Sequence, residues 1–183
     1  SDYGVLQNRK RIILIGFHGE KADFYPQIPV VKDAHKVGEL FCDLPSIKAG
    51  ECVITPVKTT HYTGKYLFSA RIKEYDEEPV TFHQARPNTA QDLEIYRIVV
   101  DTWNRSKTRV SYTDLPERLH THNNTKSFLD RFKVVAGNLP YAQTVVAHIS
   151  RDGHYFIHPD IKQNRSITPR EAARIQTFPD NYF

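Results

Sequence analysis

The stretch from Arg165 to Tyr182, RSITPREAARIQTFPDNY, constrains this chain more than any other. Thr168 can cap the first free backbone N–H groups of a helix, and Pro169 fits the first helical position. Glu171 stands where a capping-box carboxylate reaches back. Pro179 then limits the helix to about two and a half turns. Arg170 and Arg174 are four apart and share a face, so they repel unless an anion or carboxylate meets them. Glu171 can pair with Arg174 at three residues' separation. Arg165, just ahead of the cap, adds positive charge beside a helix N-terminus, a corner that favours phosphate. On physics alone the stretch also suits a short amphipathic surface helix with solvated arginines.

A second charged pattern lies at the other end. Tyr3-Gly4-Val5-Leu6-Gln7-Asn8-Arg9-Lys10-Arg11 leads into the apolar run Ile12-Ile13-Leu14-Ile15, ended by Gly16 and Phe17. The run predicts a buried strand in a parallel or mixed sheet. Gln7, Arg9 and Arg11 alternate ahead of it and point the same way. Polar groups at the mouth of a buried strand need an anion or polar ligand, unless the strand start is frayed and solvated.

Both patterns resemble conserved blocks of the DNA (cytosine-5) methyltransferases. Tyr-Gly-x-x-Gln-x-Arg-x-Arg before an apolar strand resembles the eighth block, with Leu6 where many members have Pro. Arg-Ser-Ile-Thr-Pro-Arg-Glu-Ala-Ala-Arg-Ile-Gln-Thr-Phe-Pro-Asp-x-Tyr is similar to the ninth. The two occur in family order, about 150 residues apart, which chance rarely produces. The resemblance implies that Arg11 holds the target cytosine at O2 in the catalytic pocket. Arginine suits this because it stays charged and offers several coplanar donors. Arg9 and Gln7 would line or brace that pocket.

Between the blocks the texture is mixed. Val37 to Phe41 predicts a short helix stopped by Pro45. Cys52 to Ile54 and Tyr66 to Ile72 predict strands, and Asp92 to Asn104 a helix. In that helix Leu93, Tyr96, Val99, Val100 and Trp103 recur at helical spacing as core. Ser127 to Lys133 also has a helical apolar side: Phe128, Leu129 and Phe132. The polar cluster His120 to Lys126 has no third ligand at zinc-like spacing, so no metal is expected. It reads as a solvated loop or as a DNA-contacting one, with Asn123, Asn124 and Lys126 able to meet base edges or phosphate. Ala142 to Ser150 and His154 to Pro159 predict a hairpin turning at Asp152-Gly153. The resemblance implies that Thr144 and Val145 open a recognition loop here. His148, Ser150 and Arg151 would follow into the major groove.

The predicted fold class is α+β: a small mixed target-recognition domain attached to a remnant of an α/β catalytic domain. Residues 1–45 would end the catalytic domain, 46–164 recognise the target, and 165–183 return to the catalytic domain. Thr168, Arg170, Glu171 and Arg174 would be structural, and Arg165 would contact DNA. A net charge of +4 and pI near 9.0 lean mildly toward acidic partners such as double-stranded DNA. No apolar run of about 18 residues predicts a membrane span. With only Cys42 and Cys52, and no signal-peptide pattern, a reducing cytoplasm is expected.

The family's cofactor loop, Pro-Cys nucleophile, Glu-Asn-Val element and closing strand are not in this sequence. The absence of Met fits a chain cut from a longer one. The expectation is therefore a piece of a restriction–modification methyltransferase. S-adenosylmethionine would serve the full-length enzyme and no cofactor this piece. Its partner would be the missing N-terminal catalytic portion, or a separate partner chain. The alternatives are a stand-alone DNA-binding module, one half of a split enzyme, or an α+β domain whose arginines are purely structural.

Overall fold

The computed structural model describes residues 3–16, 18–19, 27–31, 34–53, 64–146 and 153–182. Its longest element is helix α2, Ala90–Ser106. Thr89 caps α2: its hydroxyl accepts from the Asp92 N–H at 3.1 Å, and the Asp92 carboxylate accepts from the Thr89 N–H at 3.1 Å. Lys107, left-handed at φ 57°, ends the helix and returns its N–H to the Trp103 carbonyl. Ile95, Tyr96, Val99 and Val100 form the buried stripe, of which Tyr96, Val99 and Val100 are the ones expected from spacing. Leu93 and Trp103, expected in the core, are only half-buried. The Trp103 indole donates to Asn138 Oδ1 at 3.2 Å.

The run Tyr66 to Ile72 is not a strand. Lys65–Ser69 is a helix, α1, and Ile72 and Lys73 send their N–H groups back to the Leu67 carbonyl at 2.8 and 3.0 Å. Those bonds close a turn through Arg71 (φ 55°) and leave no ladder to pair. Val37–Leu40 is a short 3₁₀ helix, as expected. Ser127 to Lys133 forms no helix. Phe128 is left-handed at φ 55° and 68% exposed, and the Leu129 carbonyl accepts from Tyr112 N–H at 2.7 Å.

Backbone pairing among the described residues comes as isolated bridges: Gln7 with Ala142 and Val134 with Ile157 (parallel), Cys52 with Gln84 and Ile157 with Ser166 (antiparallel). The expected return strand from His154 therefore begins as a 3₁₀ turn, Gly153–Tyr155, and pairs with residues 134 and 166. Its expected partner residues, 147–150, and the Asp152 turn lie outside the described residues. Ile12 to Leu14 are not buried as expected. They are exposed by 90, 65 and 89%, because nothing among the described residues pairs with them.

Two cores result. One joins Leu6, Val37, Leu40, Leu67, Val145 and Ile175, drawing on both ends of the chain. The other packs α2 against Tyr112, Leu115, Leu119, Phe132 and Ile157. Phe156 belongs to the first core and Ile157 to the second, as alternating side chains of extended backbone allow. Gly38 and Gly137 let two backbones touch: a Cβ at Gly38 would lie 3.1 Å from the Gly137 carbonyl. No helix among the described residues is long and apolar enough to cross a membrane.

Candidate nucleic-acid interface

The capped helix at the C-terminal end is α3, Pro169–Ile175. Thr168 Oγ1 accepts from Glu171 N–H at 3.2 Å, and Glu171 Oε2 accepts from Thr168 N–H at 2.8 Å. This is the capping box expected from Thr168, Pro169 and Glu171. The charges around it are arranged differently from expectation. Arg165 is fully buried and donates to both Glu171 oxygens at 2.7 Å, and to the Ile47 carbonyl at 2.9 Å. It has no face left for phosphate, so the expected DNA contact at Arg165 is corrected to a structural clamp.

Glu171 serves Arg165 rather than Arg174. Arg174 instead donates to Asp43 Oδ1 at 2.6 Å and to Asp180 Oδ1 at 2.9 Å. Lys73 Nζ completes the group, 2.9 Å from Asp43 Oδ2. Arg170 holds the Thr81 carbonyl at 2.9 Å and the Thr81 hydroxyl at 2.7 Å. The repulsion between Arg170 and Arg174 is met by Asp180, which lies 3.5 Å from Arg170 Nη1.

Burial raises the Asp43 carboxyl, but hydrogen bonds from Arg174 and Lys73 hold it net below the ordinary value. Burial likewise raises Glu171, and Arg165 with His158 brings it net below. His158 is pushed down to about 4 by burial, against the raising pull of Glu171, whose Oε1 lies 3.6 Å from its Nε2. Its Nδ1 accepts from Asp160 N–H at 3.2 Å, which assigns the proton of the neutral ring to Nε2.

The N-terminal segment runs alongside residues 142–145. Ala142 N–H donates to the Leu6 carbonyl at 2.8 Å, and Asn8 N–H donates to the Ala142 carbonyl at 3.1 Å. Thr144 Oγ1 donates to the Asn8 carbonyl at 2.5 Å, and Arg9 Nη1 to the Val145 carbonyl at 3.3 Å. Gln7 is 5% exposed, and its Nε2 has no hydrogen-bond partner among the described residues. Arg9, Val145, Val146, Ala172 and Phe178 share one cleft of about 500 Å³ with the outer side of α3. The two ends of the sequence thus meet at one surface. Arg11 stays exposed, with its own bond to the Lys10 carbonyl at 2.7 Å, and does not line that cleft.

Val145, expected to meet DNA, is a core residue at 4% exposure, and Val146 after it is exposed. Thr144 is half-buried and spent on the Asn8 carbonyl. His148, Ser150 and Arg151 lie outside the described residues.

The polar loop before residue 127 is ordered by Tyr112. His120 and His122 stack on its ring at 4.7 and 4.8 Å, and the Arg131 guanidinium sits 4.3 Å from the ring centre. The Asn124 side chain accepts from the N–H groups of Lys126 (3.0 Å) and Ser127 (3.2 Å). Asn124 is therefore consumed by an Asx turn and is not free to read a base. Asn123 and Lys126 project from that turn as exposed residues. Among the described residues no cluster of three His, Cys, Asp or Glu could hold a metal.

Sequence reasoning missed Asp43 and Asp180 as partners of the arginines, and Lys73 as a second cation on Asp43. The signal was available in Asp43-Leu44-Pro45 and Pro179-Asp180, acids placed at stops flanking predicted helices.

These features describe a protein whose two ends meet at one surface, with a hydrogen-bonded polar loop elsewhere. The C-5 cytosine-specific DNA methylase family matches across residues 1–183, and the chain belongs to that family. It is 42% identical over 193 residues to the type II methyltransferase M.Bpa9945I of Bacillus paralicheniformis, covering all of this chain and 42% of that protein. It is 26% identical over 196 residues to M.DdeI of Desulfomicrobium norvegicum, covering 99% of this chain and 43% of the relative. A shorter likeness, 37% over 67 residues, covers 37% of this chain and 15% of M.AgeI from Thalassovita gelatinovora. The chain spans less than half the length of these curated relatives. No solved structure matches it.

Proposed function

We propose that this chain is the target-recognition part, with blocks eight and nine, of a DNA cytosine-5 methyltransferase of restriction–modification. Residues 1–45 and 165–183 belong to its catalytic framework, and 46–164 form the small mixed domain that reads the duplex. The whole enzyme uses S-adenosylmethionine, which supplies the methyl group for C5 of cytosine. The observation that carries this reading is the junction of the two blocks. The Gln7-x-Arg9 segment lies along residues 142–145, and both border the cleft beside α3.

The exposed run Ile12 to Ile15 suits a strand that docks on the catalytic sheet outside this chain. Arg11, exposed at its head, is free to reach a flipped cytosine. Nucleophilic chemistry belongs elsewhere in the enzyme. Burial raises the Cys42 thiol, which donates to the Glu39 carbonyl at 3.2 Å and is not a ready thiolate. In this reading Asn123 and Lys126 contact the duplex from their fixed turn, and Val146 leads into a second contact through His148, Ser150 and Arg151.

The test is methylation mapping of DNA from cells expressing the complete gene, with and without Arg11→Ala. A single modified cytosine context is expected, lost in the variant while duplex affinity is retained. Unmodified DNA from cells that make the protein would remove the enzymatic reading. Equal loss of affinity and methylation would remove Arg11 from the pocket.

A further inference from the structure

A second cavity, of about 420 Å³, lies between residues 84–87 and 166–169. This volume falls within the range of small-molecule sites, about 300–1,000 Å³. Ala85, Phe156 and Ile167 give it buried apolar walls, and the exposed Pro87 and Pro169 give it stiff ones. Its polar lining is Gln84, Arg86, Ser166 and Thr168, whose hydroxyl is taken by the α3 cap. Ser166 is 2% exposed, and its hydroxyl has no hydrogen-bond partner among the described residues. An unpaired buried hydroxyl is unfavourable, so the cavity as it stands is chemically incomplete.

Gly153 shapes the same space. A Cβ there would lie 2.6 Å from the Arg86 guanidinium carbon, so glycine admits that planar cation to the cavity. The guanidinium also interacts with the Tyr96 hydroxyl, which fixes one end of it. Broad apolar walls with a planar cation, an amide and a free hydroxyl suit a flat heterocycle, apolar on its faces and polar at its edges.

We infer that this cavity binds a nucleobase of the bound duplex other than the cytosine being methylated, turned out of the stack. The inference rests on the reading that the chain engages duplex DNA. A duplex is the source of bases that such a protein meets, and Gly153 stands two residues after Arg151, the end of the segment expected to enter the major groove. The base lies between the apolar walls, and its edge pairs with the Ser166 hydroxyl or the Arg86 guanidinium.

The experiment uses the full-length protein and the sequence found by methylation mapping. A fluorescent base analogue replaces each base in turn, outside the target cytosine, on both strands. One non-target position should brighten several-fold on binding. Ala85→Leu, which fills the cavity, should return that position to the free-duplex level while the target cytosine is still methylated. Gly153→Ala, which displaces Arg86, should dim it in part.

A mapped, methylated sequence with no bright non-target position overturns the inference and leaves the proposed function standing. So does brightness that survives Ala85→Leu. The wild-type scan decides even if the variant fails to fold. Saturation-transfer NMR with free nucleosides tests the other source. A signal lost in Ala85→Leu, without any bright duplex position, would assign the cavity to a free nucleoside and overturn the duplex assignment. If no DNA is methylated at all, the proposed function fails first.

Discussion

Replacing Glu171 by Gln should loosen α3 far more than its near-identical shape suggests. Glu171 is 1% exposed and accepts three close bonds: two from Arg165 at 2.7 Å and one from the N–H of Thr168 at 2.8 Å, beside its weaker approach to His158 at 3.6 Å. Glutamine keeps one acceptor, which can still serve the cap. Its amide then presents donors to the Arg165 guanidinium, itself 1% exposed, and leaves that cation without an anion. Breaking one side of a buried pair costs about 3–5 kcal/mol.

Amide hydrogen exchange of the full-length protein reads this locally. Peptides spanning residues 169–182 should lose protection by roughly a hundredfold to a few thousandfold. Arg165→Met combined with Glu171→Gln should lose less than the sum of the single changes. Full recovery is not expected, because Arg165 also serves the Ile47 and Ser166 carbonyls at 2.9 and 3.0 Å. A change under about tenfold in the single variant, near 1.4 kcal/mol, would refute the assignment of this pair as the anchor of the helix.

Acid should weaken the fold before the carboxylates titrate. His158 falls from 6.5 to about 4 on folding, so the unfolded chain takes up a proton first. Stability from this group is complete above pH 6.5 and is lost as pH falls toward 4, by up to about 3 kcal/mol. Denaturant titrations at pH 7 and 5 should show the loss, and His158→Gln should flatten it. His83, also depressed by burial, adds to the same trend. Asp43→Ala, which takes one buried carboxylate from both Arg174 and Lys73, should lower the thermal midpoint more than Arg118→Ala, whose partner Glu94 is on the surface. Lys126→Ala should reduce the slope of log affinity against log salt by about one and leave sequence preference intact. An unchanged slope would take the Tyr112-ordered loop off the DNA.

What the sequence reveals here is local. The box of Thr168, Pro169 and Glu171 is readable because its parts lie within three residues and obey helix-end chemistry. The buried stripe of α2 is readable because its period is fixed by helical geometry. The partners of Arg174 are not, since Asp43 stands 131 residues away and only packing brings it near. Residues 66–72 read as a strand because aromatic and aliphatic neighbours favour one. The Leu67 carbonyl decides otherwise by closing a turn after α1. Asn124 looks like a base reader by type, yet its amide is used within its own turn. The contact of the N-terminal segment with residues 142–145 was not legible, because no spacing rule links Arg9 to Val145.

The three arginines around α3 reach into different parts of the chain. Arg165 holds Ile47, Arg170 holds Thr81, and Arg174 holds Asp43 and, through its carboxylate, Lys73. Hydrophobic contact alone would let a seven-residue helix slide or rotate by a turn at little cost, because apolar burial is not directional. Three buried guanidiniums forbid this. Any displacement would strand a desolvated cation, and the planar fork accepts little misalignment. The arrangement spends burial of charge to fix orientation, and that is what the proposed recognition surface needs. Under the proposed function, a cleft bordered by Arg9, Val146 and α3 can present the same geometry to each duplex only if the helix cannot rock. On this argument, variants that weaken the arginine clamps without unfolding the chain should blur sequence preference before they reduce affinity. Methylation mapping with Thr81→Val, which removes one hydroxyl partner of Arg170 at 2.7 Å, is the mildest way to observe it.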